Sequence, residues 1–240
     1  MQGALPIDDV LPALLSALET HGRAVLQAPP GAGKTTRVPL AVLQAAKFRG
    51  KIIMLEPRRL AARAAAERLA SQLNEPVGQT VGYAMRGERK TGPNTRIEVV
   101  TEGILTRMIQ SDPELTGIDC VIFDEFHERS LNADLGLALC IECRTALRED
   151  LALIVMSATL DSAPVAELLN DAPIITSEGR SYPVEPIFLT RPTSKERRLE
   201  AYMADLIAQA LNETDGSVLA FLPGEGEIRR TESLLASRIA

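Results

Sequence analysis

The sequence predicts an α/β fold in which a parallel β-sheet is covered by helices on both faces. Apolar runs of strand length alternate with segments of helical periodicity over most of the 240 residues. The apolar runs are continuous, which is typical of parallel strands that are buried on both faces. A glycine-rich loop follows the first run and precedes a helical segment, an order that is typical of phosphate-binding loops.

The elements of the first half are recognised by spacing and composition. Apolar side chains recur at helical spacing in residues 8–20, and an alanine-rich helix follows the pair Glu56-Pro57. Two β-like segments flank a polar turn that contains Gly87 and Gly92. In chain order we predict helix 8–20, strand 24–26, helix 36–46, strand 51–55, helix 58–73, strands 80–85 and 95–101, and helix 102–110.

The second half continues this alternation and then loses it. Prolines and glycines interrupt any regular pattern between residues 178 and 195, which predicts a domain boundary there. We predict a first domain at residues 1–180. We expect a linker and the incomplete start of a second domain at 181–240, because a single buried strand cannot close a sheet. The predicted elements are strand 120–123, helix 131–147, strand 152–156, helix 164–169, strand 173–176, helix 198–211, buried strand 217–221 and helix 227–239.

Composition excludes several classes of protein. The formal net charge is −6, so binding of nucleic acid by a general basic field is not expected. No basic residue precedes Glu19 and no apolar run reaches bilayer length, so we expect a cytoplasmic protein without a membrane partner. Aromatic residues make up 3% of the chain, which argues against a base-stacking platform.

The three cysteines are too few for a disulfide framework. Cys140 and Cys143 form a C-x-x-C pair inside an apolar helical segment, and no second cysteine pair accompanies them. We expect buried thiols and neither a disulfide nor a zinc site, with zinc binding as the alternative interpretation.

The loop after the first strand fits a template of a small residue, four spacers and then Gly-Lys-Thr. Ala28 replaces the usual first glycine. The glycines allow backbone N–H groups to face a phosphate, Lys34 supplies positive charge to the β/γ oxygens, and Thr35 offers a hydroxyl to Mg²⁺. An ordinary glycine-rich turn is the alternative. The predicted nucleotide-binding residues here are Ala28, Pro29, Pro30, Gly31, Ala32, Gly33, Lys34, Thr35 and Thr36.

An acidic pair follows the strand at 120–123, within the tetrapeptide Asp-Glu-Phe-His. Ligands of a doubly wound sheet lie at the carboxyl ends of its strands, so both carboxylates are expected beside the phosphate loop. We predict that Asp124 holds Mg²⁺ together with Thr35, and that Glu125 polarises the water that attacks the γ-phosphate. An acidic strand end that faces solvent is the alternative.

These motifs resemble those of the DEAH-box group of superfamily 2 helicases. Asp-Glu-Phe-His is a variant of Asp-Glu-Ala-His, and the resemblance covers nearly the whole chain. The residues around the motifs look most like those of the bacterial HrpB-type ATP-dependent helicases. The resemblance implies a complete first RecA-like domain and the start of a second. The matching stretches begin at Ala28, Glu56, Thr101, Asp124, Ser157 and Phe221.

Two of these stretches imply nucleic-acid binding. In the family, Pro-Arg-Arg and Thr-Glu-Gly segments lie across the strand and contact its backbone. The resemblance therefore implies single-stranded nucleic acid as the partner, with RNA favoured and DNA as the alternative. A solvated arginine pair in the first turn of a helix is the alternative. The implied strand-binding residues are Arg58, Arg59, Thr101 and Gly103.

The resemblance also implies nucleotide contacts and coupling residues. Arg68 matches a family arginine that stacks on the base, and because a guanidinium stacks on any base, ATP and other NTPs are expected cofactors with Mg²⁺. Catalysis is assigned to Lys34, Glu125 and His127, the last of which the family places between the nucleotide site and the second domain. Coupling of nucleotide state to strand grip is assigned to Ser157, Ala158 and Thr159.

One family feature does not occur in the sequence. In DEAH helicases, a Gln-Arg-x-Gly-Arg segment of the second domain completes the site, and none occurs before Ala240. We therefore expect a fragment of an ATP-dependent helicase or translocase. A P-loop kinase would need an acceptor pocket and a lid in place of Ser-Ala-Thr and Thr-Glu-Gly. The other alternative is a nucleotide-gated scaffold that binds nucleic acid without motor activity.

Overall fold

The structure is a computed structural model that describes residues 3–158, 162–179, 183–189 and 198–239. The chain divides into two compact units, residues 1–181 and 182–240. The first unit contains one sheet of eight strands. These are β1 (Arg23–Gln27), β2 (Lys51–Leu55), β3 (Val81–Met85), β4 (Glu88–Lys90), β5 (Ile97–Val100), β6 (Ile118–Phe123), β7 (Ala152–Ser157) and β8 (Ile174–Thr176).

The strands lie in the order β4-β3-β5-β2-β6-β7-β1-β8. Every neighbouring pair is parallel except β3 and β4, which form an antiparallel hairpin at one edge. Parallel strands all end at the same edge of the sheet, so the residues that follow β1, β2, β5, β6 and β7 are brought together there. The predicted parallel α/β sheet is therefore confirmed, with a mixed edge.

Helices cover both faces of this sheet. In β2, Ile52 and Met54 face one buried cluster, whereas Ile53 and Leu55 face the other. This alternation explains why the strand is a continuous apolar run, since each face of the sheet needs its own apolar side chains. The helices on the first face are α1 (Leu11–His21), α2 (Lys34–Gln44) and α3 (Arg59–Gln72), and those on the second are α4 (Glu102–Ser111), α5 (Leu131–Ala146) and α6 (Ala163–Leu168).

The strand β4 lies where the sequence predicted only a polar turn. Gly87 adopts φ +79° between β3 and β4, which allows the tight reversal of the chain. The strand consists of three charged residues, so no apolar alternation marks it. Its charged residues find partners in other elements, since Arg89 donates a 3.0 Å hydrogen bond to Glu98, a buried carboxylate of β5.

The predicted buried strand at residues 217–221 is wrong. These residues form no strand, and Leu219 and Phe221 are 79% and 84% exposed. A strand needs a neighbour to pair its backbone groups, and the described residues of the second unit contain none. The helices of this unit are α7 (Leu199–Glu213) and α8 (Glu225–Ala236).

The three cysteines are buried free thiols. Burial raises the pKa of Cys140 to about 12, so this thiol stays protonated at neutral pH and acts as a small apolar side chain. Among the described residues, no helix combines the length and the hydropathy that a membrane span requires.

Candidate active site

The phosphate loop connects β1 to α2. Gly33 adopts φ +100° directly before α2, a conformation that favours glycine and turns the chain into the helix. Lys34 opens this helix but is only 4% exposed. Its Nζ donates to the carbonyl oxygens of Ala28 at 2.6 Å and Pro29 at 3.5 Å. The ammonium group therefore lies against the start of the loop, held by two of its carbonyl oxygens.

Asp124 meets the phosphate loop from the end of β6. Its Oδ2 accepts a 2.5 Å hydrogen bond from Thr35 Oγ1, although the two residues are 89 positions apart. Its Oδ1 accepts from the Glu125 backbone N–H at 2.8 Å. Asp124 is only 3% exposed, so the alternative of a solvent-facing acidic end does not hold for this residue.

Glu125 lies beside Asp124 and is half-buried. Burial, and then the charge of Asp124, raise the pKa of its carboxyl, while Lys34 and His127 oppose this shift. Its backbone φ is +48°, an uncommon conformation for a residue with a Cβ. This geometry directs the chain out of β6 into the turn Phe126–Glu128, a single turn of 3₁₀ helix.

His127 connects the acidic pair to the end of β7. Its Nδ1 accepts a hydrogen bond from the Ala158 backbone N–H at 3.3 Å, and lies 3.4 Å from Glu125 Oε2. Because Nδ1 accepts a hydrogen bond from the amide, it carries no proton to donate. The Glu125 carboxylate therefore lies near Nδ1 without forming a second hydrogen bond to it. Ser157 ends β7 and is buried, whereas Thr159 lies outside the described residues.

Glu56 is a third carboxyl at this edge and was not among the predicted site residues. It follows β2, whose Leu55 pairs with Phe123 of β6, so Glu56 lies beside Asp124. It is 3% exposed, and burial followed by the charge of Asp124 raises its pKa to about 9. A carboxyl directly after a buried strand is the signal for it, but the sequence assigns Glu56 only to a helix start and to the first position of a family-matching stretch, with no role for its carboxyl.

Replacing Glu56 with Gln is expected to stabilise the protein above neutral pH. Its pKa is raised from 4.5 to about 9 by folding, so the folded state holds a proton that the unfolded state has lost between these values. The stability that this group contributes is fully present below about pH 4.5 and is lost as the pH rises towards about 9. At about pH 8, the melting temperature of Glu56→Gln should exceed that of the parent by about 3 °C or more.

The matched control for this prediction is Glu149→Gln, because Glu149 is exposed and lies outside the cleft. Its melting temperature should follow that of the parent at every pH. An equal advantage of Glu56→Gln at about pH 5 and about pH 8 would show that the effect comes from packing and not from the proton.

An open cleft of about 420 Å³ lies beside the acidic pair. It brings Arg68, an exposed residue of α3, to the same space as Thr35 and Glu125. A planar guanidinium at the wall of a cleft can stack on an aromatic ring system. The polar residues that line it are Thr35, Thr36, Glu56, Arg58, Arg68, Glu125 and Glu128.

The predicted strand-binding residues lie at the same edge of the sheet, after β2 and β5. Arg58 precedes α3, and its Nη2 donates to Glu128 Oε1 at 2.8 Å. Arg59 is exposed and lies 4.0 Å from Glu88. Thr101 precedes α4, and Gly103 has open space where a Cβ would lie. Neither Glu128 nor its contact with Arg58 was predicted.

Comparisons with known proteins agree with this geometry. A family model described as DEAD/DEAH box helicase matches residues 8–168. The chain is 55% identical over 236 residues to the ATP-dependent RNA helicase HrpB of Escherichia coli K12, covering 98% of this chain and 29% of that protein. It is 35% identical over 230 residues to the ATP-dependent RNA helicase HrpA of Borreliella burgdorferi, covering 95% of this chain and 28% of that protein.

A solved structure is similar as well. A crystal structure of the Escherichia coli DEAH/RHA helicase HrpB has a TM-score of 0.90 and 55% identity, covering 98% of this chain and 30% of that chain. The chain therefore spans less than a third of the length of these relatives.

Proposed function

Because this chain belongs to the DEAD/DEAH box helicase family, we propose that it hydrolyses ATP with Mg²⁺ and couples hydrolysis to movement along single-stranded nucleic acid. The convergence of Thr35 and Asp124 at 2.5 Å carries this proposal, because it joins a phosphate loop to a carboxylate that suits a metal ion. RNA is proposed over DNA, since the two relatives above are named RNA helicases. The cytoplasmic location stays a prediction.

The residues present fit Mg²⁺. A threonine hydroxyl and a carboxylate are the oxygen ligands that this ion prefers, and it takes its other ligands from phosphates and water. When bound, the ion supplies neutralisation of charge on the β/γ phosphates.

Separate roles in hydrolysis are proposed for three side chains of this site. Lys34 exchanges its carbonyl partners for phosphate oxygens, which positions the terminal phosphate. Glu125 accepts a proton of the water whose oxygen bonds to the γ-phosphorus, while the bond from that phosphorus to the β–γ bridging oxygen breaks and ADP leaves. The direction of the raised pKa of Glu125 suits a base that works near neutral pH. We also propose that His127 and Ala158 link this site to the end of β7, through the contact at Nδ1.

The proposed strand contacts are Arg58, Arg59, Thr101 and Gly103, and Ser157, Ala158 and Thr159 are the proposed coupling residues. Because the chain spans less than a third of its relatives, we propose that it is part of a longer protein, with a first RecA-like domain at 1–180 and the start of a second at 181–240. The arginines that complete the nucleotide site would then lie elsewhere in that protein.

The experiment that tests this function is the ATPase rate of the full-length protein with single-stranded RNA, with single-stranded DNA and with neither. We expect RNA to increase the rate most. Strand binding without any strand-dependent turnover would favour the nucleotide-gated scaffold instead. Absence of both strand binding and turnover would contradict the proposed function.

The full-length enzyme is expected to hydrolyse ATP, GTP, CTP and UTP with similar efficiency. Stacking on Arg68 depends on the face of a base, which all four share, whereas buried hydrogen bonds to an edge would give discrimination of about 10⁴-fold. We expect kcat/KM to differ by about tenfold or less among the four, and Arg68→Ala to raise KM for all of them.

The control for this prediction is Arg107→Ala, because Arg107 is an exposed arginine of α4 that does not line the cleft. Its KM values should remain those of the parent. An ATP preference above about a hundredfold in kcat/KM would contradict the stacking account and indicate a group that reads adenine.

A further inference from the structure

The turn after the acidic pair is strained at both ends. Glu125 and Arg129 flank the turn Phe126–Glu128 with φ values of +48° and +46°. Left-handed backbone is unfavourable for residues with a Cβ and persists where the surroundings hold it. Segments of this kind are suited to switch between two arrangements when one of their contacts is lost.

One side-chain contact of this turn, and one of Ser130 two residues after it, reach the predicted strand-binding segments. Glu128 Oε1 accepts from Arg58 Nη2 at 2.8 Å, across 70 residues. Ser130 Oγ donates to Glu102 Oε1 at 2.5 Å, across 28 residues. The turn and Ser130 therefore connect the cleft, which Arg58 and Glu128 both line, to Glu102 at the start of the helix after β5.

The ion pair with Glu128 occupies Arg58, which the proposed function assigns to a phosphate of the strand. A guanidinium recognises a carboxylate and a phosphate with the same donors and the same planar geometry. Arg58 is 73% exposed at its side chain, so a phosphate can reach it while Glu128 still holds it. An exposed ion pair contributes little stability, and a polyanionic strand can therefore displace the carboxylate.

We propose that Glu128 is a positioning residue. It holds Arg58 while no strand is bound, and it is displaced from Arg58 by a phosphate when a strand binds. The inference rests on the proposed function, because it needs Arg58 to be a strand contact. Loss of Arg58 leaves Glu128 unpaired on a strained turn, three residues after Glu125. By linkage, any change in the nucleotide site that moves this turn alters strand affinity in return.

A double-mutant cycle tests the competition. The affinity of the full-length protein for a short fluorescent oligouridine is measured at low salt for the parent, Glu128→Gln, Arg58→Gln and the double variant. A melting curve checks that each is folded. We expect Glu128→Gln to bind about two- to fivefold more tightly than the parent, which is the size of an exposed ion pair. In the Arg58→Gln background, the same change should have no effect.

The matched control is Asp134→Asn, which removes a carboxylate from another exposed ion pair, with Arg129 at 3.0 Å. It should not reproduce the gain. An equal gain from Asp134→Asn, or a gain from Glu128→Gln that persists without Arg58, would overturn the competition and leave general charge repulsion. No gain from Glu128→Gln in the parent background would overturn it as well.

The same data separate this inference from the function on which it rests. If the parent binds the oligouridine and Arg58→Gln binds it equally well, then Arg58 is not a strand contact, and the inference fails while strand binding stands. If the full-length parent does not bind the oligouridine, the proposed function fails, and the inference fails with it.

Discussion

Glu125→Gln is expected to lower the ATP hydrolysis rate of the full-length protein by about 10²-fold or more while nucleotide stays bound. The amide keeps the shape of the side chain but cannot accept a proton from water, and removal of a general base costs about 10² to 10⁴ in rate. Asp124 and Thr35 remain in contact, so the proposed Mg²⁺ ligands are kept. Bound, unhydrolysed ATP should accumulate, as measured by rapid filtration with labelled nucleotide.

The pH dependence of the ATP hydrolysis rate is a second test of the role of Glu125. Burial and the charge of Asp124 raise the pKa of Glu125, so the parent rate should fall as the pH is lowered through that raised value, because the base becomes protonated. This limb should disappear in Glu125→Gln, and Glu149→Gln serves as the control outside the cleft. Hydrolysis by Glu125→Gln within about twofold of the parent would show that another group is the base.

Lys34→Ala is expected to fail at an earlier step, by losing nucleotide affinity. The ammonium group would contact the phosphates directly, and a hydrogen bond to a charged group contributes about 1.5 to 3 kcal/mol, which corresponds to about 10- to 150-fold in affinity. Calorimetric titration with ATP and Mg²⁺ should therefore show a Kd raised by at least about tenfold, and no bound ATP should accumulate.

Lys47 provides a matched control for this variant. Its Nζ is also held by carbonyl oxygens, those of Leu18 at 2.8 Å and Glu19 at 3.3 Å, but it does not line the cleft. Lys47→Ala should keep the nucleotide affinity of the parent. Equal losses in the two variants would mean that the effect comes from stability rather than from a phosphate contact.

Most of the sheet could be predicted because its strands are buried on both faces. The run Ile52, Ile53, Met54, Leu55 is apolar at every position since each face packs on its own cluster. The strand β4 gave no such signal, because it consists of three charged residues, of which Glu88 and Arg89 form ion pairs with residues of other elements. The segment 217–221 has the opposite character, being apolar in sequence but without a neighbouring strand in the described part of its unit.

Some features of the candidate site could likewise be predicted from the sequence, and others could not. The approach of Asp124 to Thr35 follows from the rule that parallel strands end at one edge, so sequence reasoning predicted it. Glu56 obeys the same rule, yet from the sequence only the two arginines of its stretch, Arg58 and Arg59, are assigned a role. The contact of Arg58 with Glu128 depends on side-chain positions across 70 residues, which no local pattern encodes.

The short edge strand β4 also affects how copies of this chain meet in concentrated solution. An edge strand exposes unpaired backbone groups that can recruit a strand from another molecule. Here that edge is three residues long and carries Glu88, Arg89 and Lys90, so an incoming strand would find few backbone partners and would have to desolvate charges. The hairpin thus guards this side of the sheet against the intermolecular pairing that leads to aggregation.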